Sequence, residues 1–352
     1  MGDTTPTSPT ADDGGAEIIQ IDLARRRAAD PDDPPPALYA EPDFAQSIWI
    51  DKPPPRGWLI PNVIPEGRVG MLTGEGGMGK SRLALQVAAC IASGDTDWLP
   101  GCGISTDGKP RSVVYLTYED EALEVNRRLC DILGYDADIA NTIGQRIKLI
   151  DGTRHDGIGA LWRPSTQGSQ HTSTLGEASP SLTKLVEYCK KAKPALLIVD
   201  TVAGAYLSNE NDRGLVTQFI THIDAWAKET GIAVMLLGHP PKSGGRYSGS
   251  TAWRASVRWM LSLERAVLKR GTKKDKSDEV RWPALISDKN NYGIEHHEPV
   301  WWLTTDRRRE MTLHGKQEVV DRKAAIAIHK RNEEARAFGL NRVDAYEDSG
   351  DF

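Results

Sequence analysis

Long apolar runs are missing from this chain. No segment approaches the ~20 consecutive apolar residues that cross a bilayer. The opening MGDTTPTSPTADDGG has neither the basic start nor the apolar stretch of a secretory signal. Cysteine is scarce as well. The four present (Cys90, Cys102, Cys130, Cys189) lack metal-ligand spacing, and three fall in segments that read as buried helices, as reduced core thiols do. An excess of one charge is also absent: 44 Lys and Arg against 49 Asp and Glu leave a net −5. That balance gives no global argument for nucleic-acid binding, although a local patch can override it. No internal repeat is present. Together these features predict a soluble cytoplasmic protein without membrane association. A chain of 352 residues has room for one large domain or two small ones, enough for a sizeable core.

What is present begins with a compositional boundary. Residues 1–45 are rich in Pro, Asp, Thr and Gly, including DPDDPPP at 30–36. Such a stretch buries too little surface to offset its ordering entropy and reads as a disordered acidic, Pro-rich tail. Within it DLARRRAAD could form a short helix, either solvated or partner-binding. From Trp58 onward short apolar runs alternate with amphipathic segments. RVGMLTG, SVVYLTY, RIKLI, ALLIVD and IAVMLLG read as strands. Between them, KSRLALQVAACIASG reads as a helix ending on Gly94, EDEALEVNRRLCDIL as one stopped by Gly134, and SLTKLVEYCKKA as one opened by Ser181. RGLVTQFITHIDAWAKETG has helical spacing too. Strands apolar on both faces, alternating with helices, predict an α/β fold with a mostly parallel sheet flanked by helices. After Trp253 the segments SVRWMLSLE, EVRWPALISD and PVWWLTT predict antiparallel strands added at one edge. We place the domain at 46–312, a long polar insertion at about 151–180, and a peripheral helix and tail at 313–352.

The densest chemical signal is GEGGMGKS, residues 74–81, which fits G-x-x-x-x-G-K-[ST] between a predicted strand and a predicted helix. The glycines let backbone N–H groups turn inward around a phosphate, and the helix N-terminus adds partial positive charge. Candidate nucleotide contacts are Gly74, Glu75, Gly76, Gly77, Met78, Gly79, Lys80, Ser81 and Arg82. Lys80 would reach the outer phosphates, and Ser81 would offer its hydroxyl to Mg²⁺. The implied ligand is a nucleoside triphosphate, ATP with Mg²⁺.

A second acidic element is needed for hydrolysis. ALLIVD ends on Asp200, placed to serve the metal, and no glutamate follows it: Thr201 and Val202 come next. The group that orients water must come from elsewhere. SVVYLTYED delivers Glu119 and Asp120 to the C-terminal end of a strand, where ligands gather in open α/β sheets. Glu119 reads as the catalytic base. Asp120 reads as the cap of the following helix, whose N-terminus favours acids.

This combination, a phosphate loop, an acid after the second strand and Asp200 without a following glutamate, resembles the RecA-like ATPase class. VMLLGHPPKSGG, SGSTAWRASVRWMLSL and ISDKNNYG, following in that order, are similar to RepA-type hexameric replicative helicases of plasmids, phages and prophages. The likeness covers about residues 61–293. It implies a RecA-like P-loop NTPase fold, ATP hydrolysis and a homo-oligomer, a hexameric ring, with replication-initiation partners. It further implies that His239 senses the γ-phosphate, that Arg258 is an arginine finger acting on a neighbour's nucleotide, and that Lys289 is a second trans-acting cation. Relatives often carry two adjacent histidines where Gly238 and His239 stand.

In such a ring the loops at 203–214 and 239–251 face the channel. The second carries Lys242 and Arg246 beside Tyr247 amid glycines. Cations with a stacking ring on a flexible loop suit single-stranded DNA without sequence preference. LKRGTKKDK at 268–276 reads as a solvated hairpin tip. Three functions remain open beside a DNA-translocating helicase. One is a DNA-associated regulatory, repair or defence ATPase without unwinding. Another is a small-molecule kinase, opposed by the lack of an Arg-rich lid. The last is a nucleotide-gated scaffold.

Overall fold

The computed structural model describes residues 55–95, 108–134, 136–155, 157–165, 175–239, 251–269, 280–293, 301–305 and 311–315. Contacts divide the chain after Pro55, and every element below belongs to the second unit, Arg56–Phe352. The expected tail at 1–45 and the expected helix after 315 lie outside the described residues.

A small hairpin, β1 (Trp58–Ile60) and β2 (Ile64–Pro65), precedes the main sheet. β3 (Val69–Gly74) leads into helix α1 (Lys80–Ser93). β4 (Val113–Thr117) leads into α2 (Ala122–Leu133), and α3 (Ala137–Thr142) precedes β5 (Ile147–Asp151). A second hairpin, β6 (Trp162–Pro164) and β7 (Gly176–Ala178), is followed by α4 (Pro180–Ala192) and β8 (Leu196–Asp200). Then come α5 (Val202–Ala205), α6 (Arg213–Thr230) and β9 (Ala233–Gly238). Helix α7 (Thr251–Ser256) precedes the edge strands β10 (Trp259–Lys269), β11 (Val280–Asn290), β12 (Trp301–Thr305) and β13 (Met311–Gly315).

The nine-stranded sheet runs β13-β12-β11-β10-β3-β9-β8-β4-β5. The six strands from β10 to β5 are parallel, and β11, β12 and β13 add to the β10 edge in antiparallel pairs. This is the mostly parallel, helix-flanked α/β sheet with antiparallel strands added at one edge that the sequence predicts. The inner strands are buried along almost their whole length because helices cover both faces. Side chains alternate between the faces. Tyr115, Ile198 and Leu237 join the core that contains α1 and α2, while Leu116, Val199 and Leu236 join the core that contains α4 and α6. By this parity Asp200, two residues after Ile198, falls on the α1 side.

Helix ends follow local chemistry. Gly94, Gly134 and Gly231 take left-handed φ values of 77°, 74° and 76° after α1, α2 and α6. Asp212 caps α6 by accepting from Gly214 N and Leu215 N. One start differs from expectation. Ser179, not Ser181, caps α4, because its hydroxyl accepts from Leu182 N while Pro180 occupies the first turn.

Three features depart from the sequence pattern. The insertion is not simply polar: Leu161 and Trp162 are buried, and Trp162 packs against Phe219 with ring centroids 5.6 Å apart. β13 continues the sheet edge across the boundary placed at 312. The strand expected from Ser256 starts at Trp259, since residues up to Ser256 form α7. The Trp259 ring lies over Gly70 so closely that a Cβ there would meet it at 2.0 Å.

Candidate nucleotide site

The site is built where β3, β4, β8 and β9 end. β3 stops at Gly74, and the next five residues turn the chain into α1. Gly77 and Gly79 have φ of 76° and 92°, a backbone region that L side chains rarely adopt. A Cβ on Gly77 would touch nothing, so conformation rather than space requires glycine there. Glu75, Gly76 and Gly77 are exposed at the mouth.

Lys80 is buried at 6% exposure beneath this loop. Its Nζ donates to Gly74 O at 2.8 Å and Glu75 O at 3.2 Å, and lies 3.3 Å from His239 Nδ1. Burial pulls the ammonium below its ordinary pKa, and the charges of Glu119 and Asp200 oppose that fall. Residues from four strand ends thus converge on one cation. His239 itself is exposed at the end of β9.

Asp200 closes the floor at 2% exposure. Its Oδ2 accepts a hydrogen bond from the Tyr115 hydroxyl at 2.6 Å, whereas its Oδ1 is buried with no hydrogen-bond partner among the described residues. A buried charged oxygen left so costs about 1–3 kcal/mol or more. Among the described residues no group of three His, Cys, Asp or Glu could cage a metal. One unpartnered carboxylate oxygen at the end of a strand next to the phosphate loop instead fits Mg²⁺, which uses one or two protein oxygens and completes its shell with phosphate and water. The residues present therefore fit that ion: Ser81 and Asp200 would hold it.

Glu119 projects, exposed, just beyond β4, near enough to act on the charge of Lys80. A short turn aims it: Thr117 Oγ1 donates to Asp120 O at 2.6 Å. Asp120 is not the helix cap expected. Arg128 Nη1 holds its carboxylate at 2.6 Å, and Glu121 occupies the N-cap position. The first helical N–H, from Ala122, is taken instead by Asp151 Oδ2 at 3.0 Å, across from β5. That pairing was invisible in the sequence because it depends on β5 lying beside β4.

The remaining candidates lie elsewhere. Arg82 Nη1 is 4.0 Å from Asp131 Oδ2 on α2. Arg258 and Lys289 stand at the opposite end of the sheet. Arg258 N donates to Val69 O at 2.9 Å, a strand length of about 16 Å from Gly74 at ~3.3 Å per residue. Its side chain is 41% exposed, with Nε 3.6 Å from Asp224 Oδ2. Lys289 Nζ donates to the carbonyls of Arg254, Ala255 and Val257 at 2.8, 3.1 and 2.8 Å. It closes the end of α7, a role that spacing alone does not show. Lys242, Arg246 and Tyr247 lie outside the described residues.

A family model described as an AAA domain matches residues 35–245, more than half of the chain. The chain belongs to this AAA-domain family. A KaiC-like protein of the archaeon Pyrococcus horikoshii is also similar in structure. It is 15% identical, with 74% of this chain and 100% of that one covered and a TM-score of 0.47. This family is one of P-loop ATPases, a class that generally binds ATP with Mg²⁺. No helix among the chain's described residues is long and apolar enough to cross a membrane.

Proposed function

We propose that this AAA domain is an ATP-driven, ring-forming motor that translocates on single-stranded DNA, of the kind used in plasmid or prophage replication. The loop amides and Lys80 bind the phosphates, and Ser81 and Asp200 hold Mg²⁺, whose charge would offset that of the β- and γ-phosphates. Glu119 orients the attacking water, and its exposed position at the mouth suits that work. His239, 3.3 Å from Lys80, reads the γ-phosphate and passes its presence to the loop that follows β9.

The observation that carries the ring is the placement of Arg258. It lies too far from its own loop to act there, yet it is half exposed and braced by a buried carboxylate. A planar cation so braced is suited to a second copy's triphosphate, where charge grows in the transition state. Such a head-to-tail contact is heterologous and closes into a ring when the rotation allows. Lys289 supports α7 and contributes to the same edge. Lys242, Arg246 and Tyr247 would meet DNA in the channel.

The deciding experiment measures ATP hydrolysis with and without single-stranded DNA, followed by strand displacement on a forked duplex. Stimulation with displacement is expected. Hydrolysis indifferent to DNA would remove the motor, and stimulation without displacement would leave a DNA-associated ATPase.

A further inference from the structure

Tyr115 has no part in the scheme above, yet it occupies the centre of the site. It lies midway along β4, fully buried, on the face that packs against α1 and α2. Its neighbours there are apolar, so a phenylalanine ring would fill the space equally well. Carrying a hydroxyl into that setting is unfavourable unless the hydroxyl is bonded. It is bonded: the phenol donates to Asp200 Oδ2 at 2.6 Å, and Ser81 lies near enough to act on the phenol.

The register explains the reach. β4 and β8 are parallel neighbours with Tyr115 opposite Ile198 and Thr117 opposite Asp200. Tyr115 and Asp200 therefore share a face one diagonal step apart, which a tyrosine spans. Ser81 arrives from the first turn of α1 above.

We infer that Tyr115 is a positioning residue for the magnesium site, holding the Asp200 carboxylate so that its free oxygen offers a lone pair in one direction, beside the P-loop serine Ser81. This rests on the P-loop reading above and deepens it. A tyrosine hydroxyl has one proton to give and lone pairs to receive. Its proton goes to Asp200 Oδ2, which leaves the unpartnered Oδ1 as the oxygen free for a water on the ion. A neutral donor serves here where a lysine or arginine would not: it orients the carboxylate without cancelling the charge that attracts a cation.

The test is Tyr115→Phe in the full chain, read by binding as well as turnover. A fluorescent ATP analogue is titrated in Mg²⁺ and in EDTA, and Mn²⁺ binding to the nucleotide complex is followed by electron paramagnetic resonance. Outer-shell partners of metal ligands are typically worth ~10- to 100-fold in metal affinity. We therefore expect the metal concentration for half-saturation to rise by about tenfold or more. Nucleotide affinity in EDTA should stay near wild type, and turnover should recover at high Mg²⁺. Ser81→Ala should show the same metal-specific defect, and the double variant should lose less than the product of the two single losses. An unchanged metal requirement overturns the inference. So does an equal loss of affinity with and without metal, or a variant without a cooperative melt, since either assigns the hydroxyl to stability. If the wild-type chain shows no metal-dependent nucleotide binding, the P-loop reading itself fails, which is a distinct result.

Discussion

Two buried carboxylates stand at opposite ends of the same sheet, and their surroundings differ. Asp224, on α6, is 4% exposed and fully engaged. Val69 N donates to its Oδ1 at 3.4 Å, while Arg68, Lys228 and Arg258 approach its Oδ2 at 3.5, 3.0 and 3.6 Å. Asp200 is 2% exposed and, among the described residues, has one hydrogen-bond partner, Tyr115, with an oxygen left over. A buried charge surrounded by cations is a structural device that fastens β3, α6 and the approach to β10. A buried charge held from one side stores unfavourable energy that a cation can release. The comparison teaches that burial alone does not mark a site; an unpartnered carboxylate oxygen beside a phosphate loop is what distinguishes Asp200.

The comparison can be broken most forcefully through activity. Lys80→Ala and Arg258→Ala should each lower ATP hydrolysis, the latter by ~10³ for a trans-acting finger. Mixing the two inactive variants should restore part of the rate, since intact loops can then meet intact fingers. No recovery at any ratio would confine Arg258 to its bracing of Asp224. Stability gives the next largest contrast. Asp224→Asn should lower the unfolding free energy from urea titration by about 1–3 kcal/mol for charge-assisted bonds lost, and with it the midpoint. Asp200→Asn keeps an acceptor for Tyr115 and removes a poorly satisfied charge, so its midpoint should stay level or rise. Equal losses at both positions would erase the distinction drawn here.

A third carboxylate sharpens the lower end of the scale. Asp151 is held below its ordinary pKa of 3.8, first by the Ala122 N–H and then by the Thr153 hydroxyl. A lowered folded-state pKa means that its contribution is present above the unfolded value and lost as pH falls through the folded one. Hydrogen-exchange protection at the start of α2, relative to the intrinsic rate, should therefore fall below about pH 4. In Asp151→Asn that acid dependence should be weaker. An unchanged profile would deny that Asp151 caps the helix.

Several elements were legible without coordinates. The loop at 74–81, the apolar strands and the glycine-terminated helices are local patterns, written in spacing and residue type. Glu119 was legible as a strand-end acid, but Asp120 was misread as a cap, because its partner Arg128 lies two turns along the helix. Lys289 looked available for a neighbour, and the structure shows it holding three carbonyls near the end of α7. Tyr115 gave no signal, since an aromatic residue in an apolar strand reads as core. Parity could have placed it on the Asp200 face, given only that β4 and β8 are neighbours.

By itself the sequence determined the phosphate loop, the α/β alternation and the α1-facing side of each strand, because these depend on residues a few positions apart. Only the tertiary structure decided which groups meet. Tyr115 and Asp200 are 85 residues apart, Arg68 and Asp224 are 156, and Lys80 and His239 are 159. Contacts of that span follow from strand order, which is fixed by packing across the whole sheet and by no single segment of the chain.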